Sequence, residues 1–366
     1  MTIVAEQDKF QIMYTGHIDI ARLIFSVFIF VLISSLPISA VQAFPFPVVD
    51  ARTASLGGVS VASDVSTAPF SNPALVAQNV ENTNWLLAFP SQANLKNPSD
   101  DFENNLAKGA GLQDGDKYRE FESNSFAVVI PDDTFGGLIY YNDRLYHTAE
   151  ITTNGTVVRH RAVNVQENGF ALARTMAEPD LPLYGFMVGV NTKLVQYHAY
   201  GYDVAAITDP NVELNRSKYS TPSSAINFDL GMARELGVWK LGLVVKDIFS
   251  YEQTYGNSGD KYRVLPQTRI GFSYHSRNTF WEVDVDLSKN TEIATESETQ
   301  LVAFGWEYRI IRPLAIRLGF NNNSVGDQLQ TSSAGIGLNF SMFQLDFAQV
   351  KNENESGTFA QLTMKF

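Results

Sequence analysis

Apolar and polar side chains alternate with a period of two along most of the chain, as they do in β-strands whose two faces meet different surroundings. In the run from Ile226 to Met232 one face is Ile226, Phe228, Leu230 and Met232, and the other is Asn227, Asp229 and Gly231. Trp239, Leu241, Leu243 and Val245 form the apolar face of the next run, with Lys240, Gly242 and Lys246 on the other, and Leu236-Gly237 suits a tight turn between them. Trp281, Val283, Val285 and Leu287 then stand opposite Glu282, Asp284 and Asp286. The same rule holds for Phe126, Val128 and Ile130, for Tyr184, Phe186, Val188 and Val190, for Ile270, Phe272 and Tyr274, and for Phe304, Trp306 and Tyr308. It holds again for Leu314 to Phe320, Ile336 to Phe340, Phe343 to Phe347 and Leu362 to Phe366. The pattern predicts an all-β chain of about 14 strands, within a range of 12 to 16.

Long connections alternate with short ones. Residues 90–121, with the acidic stretch 100–105, are the longest, followed by 199–222 and 250–266, whereas Asn154-Gly155 reads as a hairpin turn. These long segments are expected to be surface loops. A soluble β-sandwich alternates too, but there the apolar face meets a second sheet, whereas in a membrane barrel it faces lipid and the polar face lines a lumen. Two features favour the antiparallel transmembrane barrel. Aromatic residues recur near predicted strand ends (Tyr140, Tyr141, Trp239, Trp281, Trp306, Tyr308), and the opposite faces carry charges and glycine. Lys246, Glu282, Asp284, Asp286 and Arg317 are the predicted lumen-facing charges, with Arg317 or Lys246 balancing the acids from other strands. Gly136-Gly137, inside an apparent strand, would create either a bulge with a lateral opening or a simple bend.

The N-terminus adds a third feature. Residues 23–36 form an apolar run, closed by Pro37 and followed by Val41-Gln42-Ala43, which reads as a signal peptide cleaved after Ala43. The run is shorter than the ~20 apolar residues a spanning helix needs, which weighs against a retained anchor. Glu6 and Asp8 sit badly in a leader that should be positive, and a start at Met13 removes them; residues 1–12 are expected to be an extension outside the protein.

Composition narrows the chemistry. The 366 residues carry a net charge of −12, which argues against nucleic acid as a partner. Cysteine is absent, so neither disulfides nor thiolate sites exist, and the five histidines are far apart in sequence. No cofactor site is expected. His147 and His160 flank the Asn154-Gly155 turn and could meet across a hairpin, but neither has a serine and acid beside it, and no serine elbow occurs. They are read as strand histidines, and Asp114-Gly115-Asp116, lacking further calcium ligands, as a turn. The chain is therefore not expected to be an enzyme.

The last strand, with Leu362, Met364 and Phe366 on one face, resembles the C-terminal signal by which outer-membrane barrels are recognised for insertion. Residues 44–77 differ from the strands in being small, glycine-rich and weakly periodic. Their Asp50-Ala51-Arg52 start, Gly57-Gly58 pair and Asn72-Pro73-Ala74 motif resemble the N-terminal signature of FadL-like outer-membrane proteins. With the runs Leu265 to Gly271 and Asp284 to Asn290, the chain is most similar to the outer-membrane family labelled conjugal transfer protein TraF. The resemblance implies a signal peptide (1–43), an N-terminal hatch in the lumen (44–80) and a barrel (81–366), with Asp50, Arg52, Gly57, Gly58, Asn72 and Pro73 as hatch residues. It also implies the outer membrane of a Gram-negative bacterium, with its lipid and lipopolysaccharide and the barrel-insertion machinery as partners, and a small hydrophobic ligand. Ser55-Leu56 and Pro69-Phe70-Ser71 depart from the family's pattern, so no substrate contacts are carried over. A plugged passive channel and a structural or assembly protein binding an envelope partner, such as a secretion or conjugation apparatus, are the two readings left open.

Overall fold

The computed structural model describes residues 48–63, 70–81, 86–96, 117–130, 134–152, 157–180, 183–205, 220–256, 258–290, 298–325, 330–340, 342–352 and 356–365. The signal peptide with Ala43, the start at Met13, the acidic stretch 100–105, Asp114 to Asp116, Asn154-Gly155 and Phe366 lie outside them. The chain is all-β, and among the described residues no helix is long and apolar enough to cross a membrane.

Among the described residues sixteen strands follow the N-terminal segment: β1 (Leu86–Lys96), β2 (Lys117–Ile130), β3 (Gly136–Thr152), β4 (Val157–Thr175), β5 (Phe186–Ala205), β6 (Ser220–Leu236), β7 (Trp239–Lys246), β8 (Tyr251–Thr254), β9 (Lys261–Val264), β10 (Gln267–His275), β11 (Thr279–Asp286), β12 (Leu301–Ile311), β13 (Leu314–Asn323), β14 (Thr331–Phe340), β15 (Phe343–Lys351) and β16 (Ser356–Lys365). All except β8 and β9 join one antiparallel sheet, and because β1 pairs with both β16 and β2 the hydrogen-bonded order closes on itself as a ring of fourteen. Closure leaves no edge strand with unpaired backbone groups.

At one end of the ring the connections are tight: Gly237-Val238 joins β6 to β7 and Arg312-Pro313 joins β12 to β13. At the other they are long, as at 97–116, 206–219, 247–266 and 287–300. Strand length is uneven as well. β4 and β5 have 19 and 20 residues against 8 in β7 and in β11, so at about 3.3 Å per residue the wall stands much taller on the β3–β6 side.

The two faces divide as the alternation requires. Ile139, Phe170, Leu194, Ile226, Leu230, Phe304, Leu318 and Phe347 are exposed on the outside, while Glu282, Asp284, Asp286, Arg317 and Asp346 are buried on the inside. Tyr140 is an exception to the expected aromatic belt. It points inward, is 5% exposed, and its hydroxyl accepts a hydrogen bond from Asn191 Nδ2 at 2.8 Å.

Gly136 and Gly137 cause no bulge, since both lie in unbroken pairing with β4. Register shifts fall instead on β1, after Ala88 and around Pro90, a residue that cannot donate to a ladder, and at the end of β12 between Arg309 and Ile311.

Candidate functional site

The interior of the ring is occupied by the N-terminal segment. Asp50 opens it as the N-cap of a one-turn helix, α1 (Ala51–Ser55), its Oδ1 accepting from Thr53 N at 2.7 Å. Burial pushes the Asp50 carboxyl above its usual range even though that hydrogen bond favours the charged form. Gly57 and Gly58 then take φ of 73° and 92°, a left-handed turn that a side chain would strain. After residue 70 the chain enters a 3-10 helix, Pro73–Glu81. Residues 49–63 and 70–77 are all buried.

A segment with so little regular structure must satisfy its backbone elsewhere, and the wall provides the partners. Asp284 Oδ2 accepts from Ser60 N at 2.8 Å and Val61 N at 3.2 Å, while Glu282 accepts from Ala62 N at 2.6 Å and from the Ser63 hydroxyl. Ser333 Oγ accepts from Gly57 N at 3.0 Å, and Gln361 Oε1 from Ala51 N at 3.1 Å. The segment's carbonyls are met by Arg269 (Gly58 O, 3.2 Å), Ser273 (Ala62 O, 2.6 Å), Lys240 (Ser63 O, 3.1 Å) and Lys246 (Phe70 O, 2.8 Å). Asn72 ties the two halves together, Nδ2 donating to Val61 O at 2.8 Å and to Met232 O of the wall at 3.3 Å.

Close approach depends on a girdle of inward-facing glycines. A Cβ at Gly136, Gly189, Gly231, Gly242, Gly271, Gly305, Gly319 or Gly335 would lie under 3.0 Å from the segment, against Val76, Pro73, Asn72, Val61, Val61, Leu56, Gly57 and Ser55 respectively. Three pairs, Gly189 with Gly231, Gly242 with Gly271 and Gly305 with Gly319, are direct cross-strand partners, so the girdle follows one level of the wall.

Charges complete the seat. Arg52 Nε lies 3.0 Å from Glu307 Oε2, with its guanidinium 5.2 Å from the Phe280 ring centre. Glu307 also binds Arg317 at 2.7 Å, and Arg317 reaches Asp346 at 2.7 Å. Arg52→Ala is expected to lower the stability of the detergent-solubilised protein by about 3 kcal/mol, near the low end for breaking a buried pair, because Arg317 still faces Glu307. Denaturant unfolding measures this; a loss below about 1 kcal/mol, the scale of an exposed pair, would mean that α1 is not anchored through Arg52.

A second obstruction sits toward the long-connection end. β8 and β9 form a separate hairpin inside the ring, where Tyr255, Tyr262 and Val264 pack on Tyr146, Val163, Val165, Val195 and Tyr197 of the inner wall. Tyr197 and Tyr251 stack at 4.8 Å. The buried Arg161 holds Asp260 of the hairpin at 2.6 Å and Asp203 of β5 at 2.8 Å. At the hairpin's root Lys193 bridges Asp247 (2.7 Å) and Asp229 (2.9 Å).

The residues singled out in the sequence thus converge only in part. Asp50, Arg52, Gly57, Gly58, Asn72 and Pro73 come together inside the ring, and Lys246, Glu282, Asp284, Asp286 and Arg317 all face inward. The expected charge balance is wrong: Arg269 pairs with Asp286 at 2.5 Å, Arg317 serves Glu307 and Asp346, and Lys246 caps a carbonyl. Carboxylates of Glu282 and Asp284 are occupied by backbone N–H groups of the segment instead. Residues 250–266 are an inward hairpin where a surface loop was expected. His147 Nε2 and His160 Nδ1 do meet, at 3.3 Å, on the outer-face parity of β3 and β4, with Glu120 3.7 Å from His147. Leu362 and Met364 lie half-buried on β16, beside Leu345 and Phe343. Among the described residues no group of histidines and carboxylates could hold a metal ion. The sequence shows glycine recurring on the polar faces of successive strands, as expected of a barrel, but only the structure shows that these glycines form a seat for the segment.

Residues 111–287 match the family model described as "F plasmid transfer operon, TraF, protein". No curated protein matches the chain. Among solved structures, the Ralstonia pickettii toluene transporter TbuX is 10% identical, with 88% of this chain and 99% of that one covered at a TM-score of 0.59. The Pseudomonas putida toluene transporter TodX is 10% identical over 89% and 99% of the two chains (TM-score 0.53), and a Pseudomonas aeruginosa FadL homologue 9% identical over 89% and 99% (TM-score 0.55). At such identities the likeness establishes the fold: a FadL-type β-barrel.

Proposed function

We propose that this chain, FadL-like in fold and matched by the TraF family model over residues 111–287, is a plugged passive channel of the Gram-negative outer membrane for a small hydrophobic compound. The observation that carries the reading is the seat of residues 48–63 and 70–77, which fill the ring and are bound to it by wall groups. A segment held through so many separate side chains suits a hatch, residues 44–80, within a transmembrane barrel, residues 81–366. The outer face supports the membrane setting, because large apolar side chains exposed to water around a ring would aggregate, whereas lipid accepts them. The hydrophobic ligand rests on the toluene transporters that share the fold.

The alternative, a structural or assembly protein docking a transfer or secretion apparatus, is favoured by the plasmid-transfer description of the family model. Liposomes containing the purified chain separate the two. Faster entry of a long-chain hydrophobic probe than in protein-free liposomes is the expected result, with a modest rise in small-solute leakage when residues 44–77 are deleted. Barrels that insert but pass nothing in either form would leave the assembly reading as the better one.

A further inference from the structure

The tight-turn end carries a feature that the channel reading does not use. On the outer face of β7, β10, β11 and β12, Trp239, Tyr274 and Trp281 form one aromatic cluster, with ring centres 4.8 Å apart for Trp239 and Tyr274 and 5.6 Å for Trp239 and Trp281. Trp306 is the direct cross-strand partner of Trp281 and stacks with Tyr308 at 6.0 Å. The turns beyond this cluster touch one another: His275 N donates to Val238 O at 2.7 Å, and Arg309 N to Asn278 O at 2.8 Å. They form a continuous rim.

The rim's β10–β11 and β12–β13 turns are cationic in a chain whose net charge is −12, and the exposed Glu235 beside the β6–β7 turn is paired with Lys240 at 3.2 Å. Residues 276–278 and 309–313 contain Arg277, Arg309 and Arg312 and no carboxylate, and all three arginines are exposed. Glu307 lies 3.9 Å from Arg309 but is engaged more closely by Arg52 and Arg317, at 3.0 and 2.7 Å, so it neutralises Arg309 poorly. Ile310 and Ile311, 50% and 56% exposed, stand beside the arginines.

We propose that this rim binds the phosphate headgroups of anionic glycerophospholipids in the leaflet it faces. The inference rests on the membrane reading above. Tryptophan and tyrosine favour the level where acyl chains give way to headgroups, their rings lying in the apolar layer and their polar atoms in the wet one. The guanidiniums of Arg277 and Arg312, in the turns just beyond that level, can take phosphate oxygens in paired hydrogen bonds, while Arg309, on the same inward parity of β12 as Glu307, adds positive charge to the rim, and the exposed isoleucines would lie against the glycerol and upper acyl carbons. A soluble anion would use the arginines but have no use for the aromatic belt.

The test places the full chain in nanodiscs of phosphatidylcholine mixed with phosphatidylglycerol of the same acyl chains, and counts the lipids retained on the protein by native mass spectrometry. Phosphatidylglycerol should be enriched, by roughly fivefold for each arginine that engages it. Arg277→Gln with Arg309→Gln and Arg312→Gln should lose the enrichment, and Arg277→Gln alone, a single exposed turn residue, should reduce it. Lys261→Gln with Arg263→Gln, in the hairpin near the opposite end, should leave it unchanged. Equal retention of the two lipids by the native chain, or undiminished enrichment in the folded triple variant, would overturn the proposal while leaving the barrel in its membrane. Failure of the native chain to enter either lipid would overturn the membrane reading as well.

Discussion

Deleting residues 44–77 and also replacing residues 247–266 by Asn-Gly is expected to turn a closed lumen into an open pore, whereas either change alone raises conductance only slightly. Two obstructions in series explain the difference. The N-terminal segment is gripped by β3–β7 and β10–β16, and the β8–β9 hairpin is packed separately on the inner wall of β3–β6 through Arg161, Tyr197 and Lys193. Neither change should unfold the ring. Lys246 and Gln267 are direct cross-strand partners, so a two-residue turn can join them. The wall groups freed by losing the segment, among them Glu282, Asp284, Arg269 and Lys240, would be hydrated by incoming water. Single-channel recording in planar bilayers should give the double variant roughly tenfold the conductance of either single one, as expected when a plugged barrel becomes water-filled. If deletion of 44–77 alone reached the level of the double variant, the hairpin would not be an obstruction. If the double variant stayed closed, the channel reading itself would lose its support.

Gly136→Ala and Gly137→Ala should behave in opposite ways although they are adjacent. Gly136 faces inward, where a methyl group would overlap the backbone of Val76, and backbone inside a packed lumen cannot give way cheaply. Gly137 faces outward, and its nearest neighbour would be Ile130 Cβ at 3.4 Å, the edge of ordinary contact. The first substitution is expected to cost about 3 kcal/mol or more and to expose residues 70–81 to protease; the second should change stability by less than about 0.5 kcal/mol. Gly242→Val, which would press on Val61, should release the other half of the segment in the same way. Limited proteolysis with denaturant unfolding measures both. Equal tolerance at Gly136 and Gly137 would mean that the 3-10 helix does not rest on the wall.

These contrasts mark where sequence reading stops. Which residues share a face follows from period two alone, so the inward placement of Glu282, Asp284, Asp286, Lys246 and Arg317 was legible in the sequence. Partner choice was not. Arg269 reaches Asp286 because β10 and β11 pair with those two residues opposite, and a different register would have offered another acid. Tyr140 shows a related limit: its neighbour Tyr141 faces outward as an aromatic belt requires, and one step along the strand reverses the side chain's direction.

Alternation, a short apolar leader run and the glycine-rich stretch from Asp50 to Ala77 are local properties, and by themselves they determined the all-β class, the division of faces and the separate character of the N-terminal segment. Only the tertiary structure decided that residues 250–266 turn inward, that Glu282 and Asp284 accept backbone N–H groups of that segment, and that scattered glycines line up as its seat. The physical reason is that each of these depends on the closure of fourteen strands into one ring, which brings Gly57 beside Gly319 and Arg161 beside Asp260 across long stretches of chain. Local periodicity encodes which way a side chain points; it carries no information about what stands in front of it.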